Sequence, residues 1–261
     1  MDEKVLKETL DLMNMMVEGM AKLSVLVTNL VNDGYSNPKD SGFDKNGMMY
    51  TTLDVGSRVL LKHKVYGDIP FIVVDEDCED IILDGTSAPL RLPSISLMAE
   101  SVVCKRIVGR NYINWGYTEL HDYLNEEFIE GFENPDIFET VVKYTRICQF
   151  DKYGERRIIG NTFTCWIPDL GEIGTLKKMS TPSIRTYKYF NKRKECRIKN
   201  YNGEPCEYFT RTPNVMSESG STLYSIKPDG SSGTHAISTA CGVVPCLCIR
   251  KEKLIYNDTA K

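Results

Sequence analysis

Two hydrophobic periodicities divide this chain. From residue 3 to 32, apolar side chains recur at alternating intervals of four and three. They are Leu6, Leu10, Met13, Val17, Met20, Val27 and Val31, with Ser24 keeping the series. That spacing is the a/d seam of a coiled coil, and Met16, Leu23 and Leu30 widen it at the g positions. A stripe this wide suits three or more helices better than two. The remaining flank, Lys7, Asn14, Ala21 and Thr28, is small or polar, and Asn32-Asp33-Gly34 supplies a stop. Residues 1–33 are therefore expected to form an oligomerising or anchoring helix. Residues 34–50, rich in Gly, Asn, Asp, Ser and Pro, read as a linker.

From Thr51 the pattern changes to period two and short apolar runs. Val59–Leu61, Phe71–Val74 and Ile81–Leu83 read as strands, the last closing on Asp84-Gly85. Residues 117–132 read as a helix, with Leu120, Leu124 and Phe128 one turn apart on one face. Residues 136–144 fit either a second helix or a strand. Turn signals follow at Tyr153-Gly154, Asn202-Gly203, Pro228-Asp229-Gly230 and Ser232-Gly233. The run Val243, Val244, Cys246, Leu247, Cys248 and Ile249 reads as a core strand, with Pro245 expected at a bulge or at its entry. One or two helices in a strand-rich chain predict an α+β domain over residues 51–252, with a tail at 253–261.

The 261 residues are 41% hydrophobic, enough for a real core. A net charge of −4 argues against nucleic acid as a partner, which would need broad phosphate neutralisation. The opening Asp2, Glu3 and Lys4 do not resemble a secretory leader. Asp11, Glu18 and Lys22 argue against membrane insertion of the N-terminal apolar stretch. Nine cysteines, scattered and odd in number, read as reduced and mostly buried rather than as a disulfide framework.

Candidate chemistry is sparse. The acidic run from Asp75 to Asp80 lacks the Gly and Glu spacing of a calcium loop and reads as a solvated hairpin tip. The basic stretch from Lys188 to Lys199, interleaved with Tyr187, Tyr189, Phe190 and Tyr201, reads as a strand pair with a charged outer face. Cys241, Cys246 and Cys248 lack the second pair or the His spacing of a zinc site, so no metal and no cofactor are expected. No nucleophile–base motif is present, so no catalytic residue is expected.

The segment Trp115 to Asn125 carries Trp115, Thr118, Leu120, His121, Leu124 and Asn125 in the order of a W-x-x-S-x-L-R-x-x-L-N motif. Phe209-Thr210-Arg211-Thr212-Pro213, Asp229-Gly230 and Gly242-Val243-Val244-Pro245 stand where W-L-R-S-P, a D-G turn and G-V-R-P would. In these features, over roughly residues 50–252, the chain resembles a domain family of Gram-positive bacteria and their phages, the DUF6273 type. It departs from the family pattern at His121 and Val244, each in place of Arg, and in lacking a Trp near Phe71. The resemblance implies a C-type-lectin-like scaffold that displays variable loops. It gives Trp115, Leu124, Asn125, Arg211, Pro213, Gly230, Gly242 and Pro245 structural roles, with Arg211 expected to meet a buried carboxylate. The loop between Pro213 and Tyr224 is the expected binding surface, through Asn214, Glu218, Ser221 and the Tyr224 ring.

With the heptads, this reading implies a non-enzymatic phage virion protein: fibre, decoration or receptor-binding. It is made in the host cytoplasm, attached to other virion proteins through its N-terminal helix, and directed at a host-surface glycan or protein. The alternatives are a bacterial binding module for a protein or peptide, in the cytoplasm or on the cell surface, and an enzyme on a formylglycine-generating type of scaffold.

The heptads predict a homotrimer. Sedimentation of the full chain should give three times the chain mass, and a chain starting at Tyr50 should sediment as a monomer. Val17→Glu, on the seam, should dissociate the assembly, whereas Asn14→Glu should not. Equal monomeric masses for the full and shortened chains would refute the assignment.

Overall fold

A computed structural model describes residues 42–43, 48–50, 53–86, 88–110, 115–150, 156–175, 184–191, 195–214 and 221–255. The expected helix at 1–33, with Leu10, Met13, Val17, Met20, Val27 and Val31, lies outside them, as do Glu218 and the tail from residue 256. The chain divides into two units at Lys39, and everything below concerns the unit from Asp40 to Lys261.

That unit is mixed, with many strands and few helices. The first strands are β1 (Gly42–Phe43), β2 (Met48–Tyr50), β3 (Arg58–His63), β4 (Gly67–Glu76), β5 (Asp80–Ile82), β6 (Leu90–Arg91), β7 (Ser94–Ala99) and β8 (Cys104–Arg106). A short helix α1 (Glu119–Tyr123) follows and continues as a π-helical turn, Leu124–Phe128. Next come β9 (Thr140–Phe150), β10 (Arg156–Phe163), β11 (Cys165–Trp166), β12 (Asn200–Tyr201), β13 (Glu204–Pro205) and β14 (Tyr208–Pro213). The chain closes with β15 (Thr222–Ile226), β16 (Ser232–Ala236), β17 (Cys241–Val243), β18 (Cys246–Arg250) and α2 (Lys251–Ile255).

Seven strands form one sheet in the order β1-β2-β3-β4-β7-β18-β11, five form a second in the order β16-β15-β14-β17-β8, and four form a third in the order β10-β9-β5-β6. The β12–β13 pair is a separate ribbon. Among the described residues, strand pairing is antiparallel except between β14 and β17. Because β1 and β2 extend the large sheet, ordered pairing begins inside the stretch read as a linker. The ambiguous segment 136–144 resolves into a 3-10 turn, Pro135–Ile137, followed by the long strand β9.

The apolar C-terminal run is two strands, not one. β17 belongs to the five-stranded sheet, β18 lies between β7 and β11 in the seven-stranded sheet, and the chain passes between the two sheets at Val244-Pro245. Proline suits that step, because no ladder hydrogen bond is required of its nitrogen there. Its carbonyl accepts from Ala99 N at 2.9 Å. Gly242 is demanded by a close approach: a Cβ there would sit 2.6 Å from the Glu207 carbonyl oxygen and 2.9 Å from Val102. Gly230, at φ +75°, closes the turn after β15, with its N–H donating to Lys227 O at 2.8 Å.

α1 starts where Thr118, in extended conformation, caps it by accepting from His121 N at 3.2 Å. It buries Leu120, Tyr123, Leu124 and Phe128, and Trp115 packs at its entrance, fully buried. Asn125 ties the helix to the sheets with all four of its amide bonds. Its Nδ2 donates to His121 O (3.0 Å) and Cys165 O (2.9 Å), and its Oδ1 accepts from Thr164 N (2.8 Å) and Cys165 N (3.0 Å).

At the far end of the helix His63 is wedged among Phe128, Phe132 and Tyr66. Its Nδ1 accepts from Val65 N and Tyr66 N, so its proton sits on Nε2 and is donated to Phe128 O at 3.0 Å. Burial lowers its pKa from the ordinary histidine value.

Two substitutions test this packing. A Cβ on Gly131 would meet His63 Nε2 at 2.1 Å, so Gly131→Ala should cost roughly 1–3 kcal/mol, read from the urea midpoint. Asn125→Asp turns two donors into acceptors facing carbonyls and should cost at least about 2 kcal/mol. A neutral result for both would place the helix elsewhere.

Candidate functional site

All six residues of β14 are buried, although four of its six letters, Thr210, Arg211, Thr212 and Pro213, are not typical core residues. Buried polar groups need partners, and theirs define a charged cluster in the interior. Arg211, with no exposed surface, forks onto Glu172: Nη1 donates to Oε2 and Nη2 to Oε1, both at 2.7 Å. Its Nη1 also donates to Ile167 O at 2.8 Å. Thr212 Oγ1 donates to Asp169 Oδ2 at 2.6 Å and accepts from Leu170 N at 2.9 Å. The turn from Asp169 to Gly174 is fixed from within as well, with Asp169 N on Glu172 Oε2 (2.8 Å) and Gly171 N on Asp169 Oδ1 (2.7 Å).

Lys143 approaches the same carboxylate from β9. Its Nζ donates to Glu172 Oε1 at 2.9 Å, to Tyr187 OH at 3.0 Å and to Glu79 Oε2, which uses all three donors. Glu79 Oε1 in turn accepts from Tyr187 OH and from Ser96 Oγ, each at 2.9 Å. The ammonium also lies 4.5 Å from the centre of the Trp166 ring. Two cations thus pair with two carboxylates, Arg211 with Glu172 and Lys143 with Glu172 and Glu79, while Asp169 is a third buried carboxyl held by Thr212 Oγ1 and Gly171 N.

Electrostatics fix the protonation states. Burial alone would raise the Glu172 pKa, but Arg211 and then Lys143 pull it down to about 2. Burial would lower the Lys143 pKa, but Glu172 and Glu79 outweigh it and hold it above the ordinary lysine value. Burial, and next the charge of Glu172, push the Tyr187 phenol well up. Asp169 also rises, chiefly by burial.

Above this cluster opens a cavity of about 320 Å³. Glu79, Lys143, Glu172 and Tyr187 form its floor, and Val142, Ile184 and Tyr144 line its wall. Arg91 and Arg185 stand at its mouth, about half exposed, each held by a carboxylate. Arg91 Nη2 reaches Asp80 at 2.6 Å, and Arg185 Nη2 reaches both oxygens of the fully buried Asp75 at 2.8 Å. Tyr144 is 39% exposed.

The expected sites fare differently. The acidic run is not a solvated tip: Asp75 and Glu79 point inward as ion-pair partners, while Glu76 and Asp77 face Lys251. The basic stretch is not a strand pair. Among the described residues it is two 3-10 turns, Lys188–Phe190 and Glu195–Arg197, with Lys199 buried.

Of the expected binding surface, Asn214 is half-buried and spans the base of its loop, with Nδ2 on Thr222 Oγ1 at 3.1 Å and its N–H on Thr222 O. Ser221 is exposed, Glu218 lies outside the described residues, and Tyr224 is only 8% exposed, a core residue of β15. The clustered cysteines part company too: Cys241 is on β17, and Cys246 and Cys248 are on β18 in the other sheet.

Lys143 and Glu172 were not singled out from the sequence, and Tyr187 was named only as an aromatic beside the basic stretch. For Lys143 a signal existed: it shares strand parity with the buried Val141 and Thr145, so period two alone puts it on the inner face. For Glu172 and Tyr187, in irregular segments, no periodicity applies.

Removing one member of a buried ion cluster strands the others. Arg211→Met should cost roughly 3–5 kcal/mol. The pH dependence should also carry a signature. A pKa of about 2 against an ordinary 4.5 makes Glu172 stabilising above pH 4.5, with that contribution lost as pH falls towards 2. Arg211→Met should raise the midpoint of acid unfolding. Wild-type acid stability in the variant would show that the cluster does not carry the fold.

Comparison with known proteins gives one result. A family model described as a domain of unknown function, DUF6273, matches residues 94–251, and so spans Lys143, Glu172, Tyr187 and Arg211. No curated protein and no solved structure matches the chain. With more than half of its residues inside the match, the chain belongs to the DUF6273 family.

Proposed function

We propose that this domain is a non-catalytic binding module that takes a polyhydroxylated ligand, a saccharide of a host surface, into the cavity above Lys143, Glu79 and Tyr187. The observation that carries this reading is a cavity with an apolar and aromatic wall over a polar floor whose Lys143, Glu79 and Glu172 charges are already paired. A saccharide needs convergent donors and acceptors beside an apolar or aromatic wall, and it brings no charge of its own. The carboxylate of Glu79 accepts, the mouth arginines donate, and Tyr144 offers a partly exposed ring.

The protonation states favour binding over acid–base chemistry. Glu172 stays ionised, Lys143 stays charged and the Tyr187 phenol stays neutral through the neutral range. A general acid or base works best with a pKa near the operating pH.

In this proposal the scaffold is C-type-lectin-like and belongs to a phage virion component: a fibre, decoration or receptor-binding protein joined to its assembly through residues 1–33. The support is the family resemblance together with the heptads at Leu10, Met13, Val17, Met20, Val27 and Val31.

The test is a glycan-array and host-cell binding assay on the full chain. Tyr144→Ala and Arg91→Ala, both at exposed positions, should each weaken binding about tenfold or more, the scale of a lost aromatic or charged contact at a binding hot spot. A triple Asn214, Glu218 and Ser221 to Ala variant should bind like the wild type. If only the triple variant fails, the 214–222 loop is the site. If none of the glycans or host cells is bound, the saccharide reading falls.

A further inference from the structure

The five-stranded sheet brings together three side chains that the linear sequence keeps apart. Glu207 precedes β14, His235 is on the edge strand β16, and Cys241 opens β17. One potential ligand atom from each lies within 4.8 Å of the other two. His235 Nδ1 stands 3.4 Å from Glu207 Oε2. A second thiol flanks them, since Cys206 Sγ and Cys241 Sγ both donate to the Glu207 carbonyl oxygen at 3.3 Å.

We propose that Glu207, His235 and Cys241 form a binding site for a divalent transition metal of the zinc class, with Cys206 placed to complete the coordination. Metal–ligand bonds of about 2.0–2.3 Å set tetrahedral ligand atoms roughly 3.3–3.8 Å apart. The histidine–glutamate pair already has that spacing, and no pair need close by more than about 1 Å.

The donor set decides the ion. Thiolate and imidazole beside a single carboxylate favour zinc or cobalt over calcium or magnesium, which take oxygen ligands. With Nδ1 as ligand, the ring proton resides on Nε2. The other oxygen of Glu207, Oε1, accepts from the buried Ser225 Oγ at 2.6 Å, which orients the carboxylate as an outer-shell partner does. The Phe209 ring lies edge-on to the His235 ring at 5.3 Å and supports its position.

A bound metal ion would hold the Cys241 sulfur as thiolate in place of the thiol that now donates to Glu207 O, releasing a proton on binding. The sequence shows no such site because its ligands are spaced irregularly, at 206, 207, 235 and 241, with no paired motif.

The experiment uses the full chain, stripped with a chelator and then loaded with zinc or cobalt. After gel filtration, elemental analysis should find one zinc per chain, and the cobalt form should show a thiolate-to-metal charge-transfer band. Cys241→Ser and His235→Gln should each abolish retention of the metal, and Cys206→Ser should remove part of the band. Ser225→Ala should weaken affinity about 10–100-fold. Cys196→Ser, at a thiol elsewhere, should change nothing.

His235 lies on an edge strand and is partly exposed, so the glutamine variant is expected to fold, and a cooperative melt checks this. Wild-type protein that retains no metal overturns the proposal, and so do folded Cys241→Ser and His235→Gln variants that keep the full band. The readout uses no saccharide, so its result is independent of the cavity's ligand.

Discussion

The carboxylate of Glu172 is the point on which this domain turns. Two cations claim it, Arg211 from β14 and Lys143 from β9, and its own turn claims it through Asp169 N. None of these groups could be buried alone, because an unpaired interior charge costs several kcal/mol or more. Together they cancel, and each fixes a different segment. Arg211 holds the Ile167–Gly174 stretch against the five-stranded sheet, and Lys143 holds Glu79, at the entry to β5, and Tyr187 against the four-stranded one. An apolar core could supply as much stability. It would not specify so closely which irregular segment lies where, and irregular segments make up much of the region around the cavity.

How much of this the sequence reveals follows from what periodicity can and cannot encode. Strand content, the short helix with its buried Leu120, Leu124 and Phe128, and the turn at Gly230 were legible, because each has a local cause. So was the need for a partner at Arg211, whose neighbours Phe209 and Pro213 sit in a motif. The partner was not legible. Glu172 is 39 residues away in a turn, and nothing in the turn's composition marks one of its acids as interior. The acidic run at Asp75–Asp80 misled for a related reason. Five carboxylates in six residues look solvated until the strand's alternation and the positive φ of Asp77 send Asp75 and Glu79 to one side and Glu76 to the other. The C-terminal apolar run misled in the opposite sense. Its hydrophobicity is real, but Pro245 divides it between two sheets, and only the three-dimensional pairing reveals the division.

The binding loop shows the same limit. Small polar residues between two structural signatures mark a loop without saying whether its side chains face a ligand or each other. Asn214 spends its amide on Thr222 and the Tyr224 ring is packed inward, whereas Ser221 is exposed. The cavity's lining, by contrast, is drawn from five segments, none of which carries a recognisable motif.

The floor of that cavity combines two properties that rarely coincide. It is strongly polar, and it is electrically closed: the ammonium of Lys143 has donated all three protons, and Glu79 accepts from Lys143, Tyr187 and Ser96. A ligand that demanded a full counter-charge would have to break this network and leave a buried ion exposed to the penalty it now avoids. A neutral ligand need only use the lone pair left on Glu79 Oε2, since the four of Glu172 are taken, and the outward donors of the mouth arginines. The constraint that folds the domain therefore also selects among ligands, favouring those that bring hydroxyl groups rather than charge.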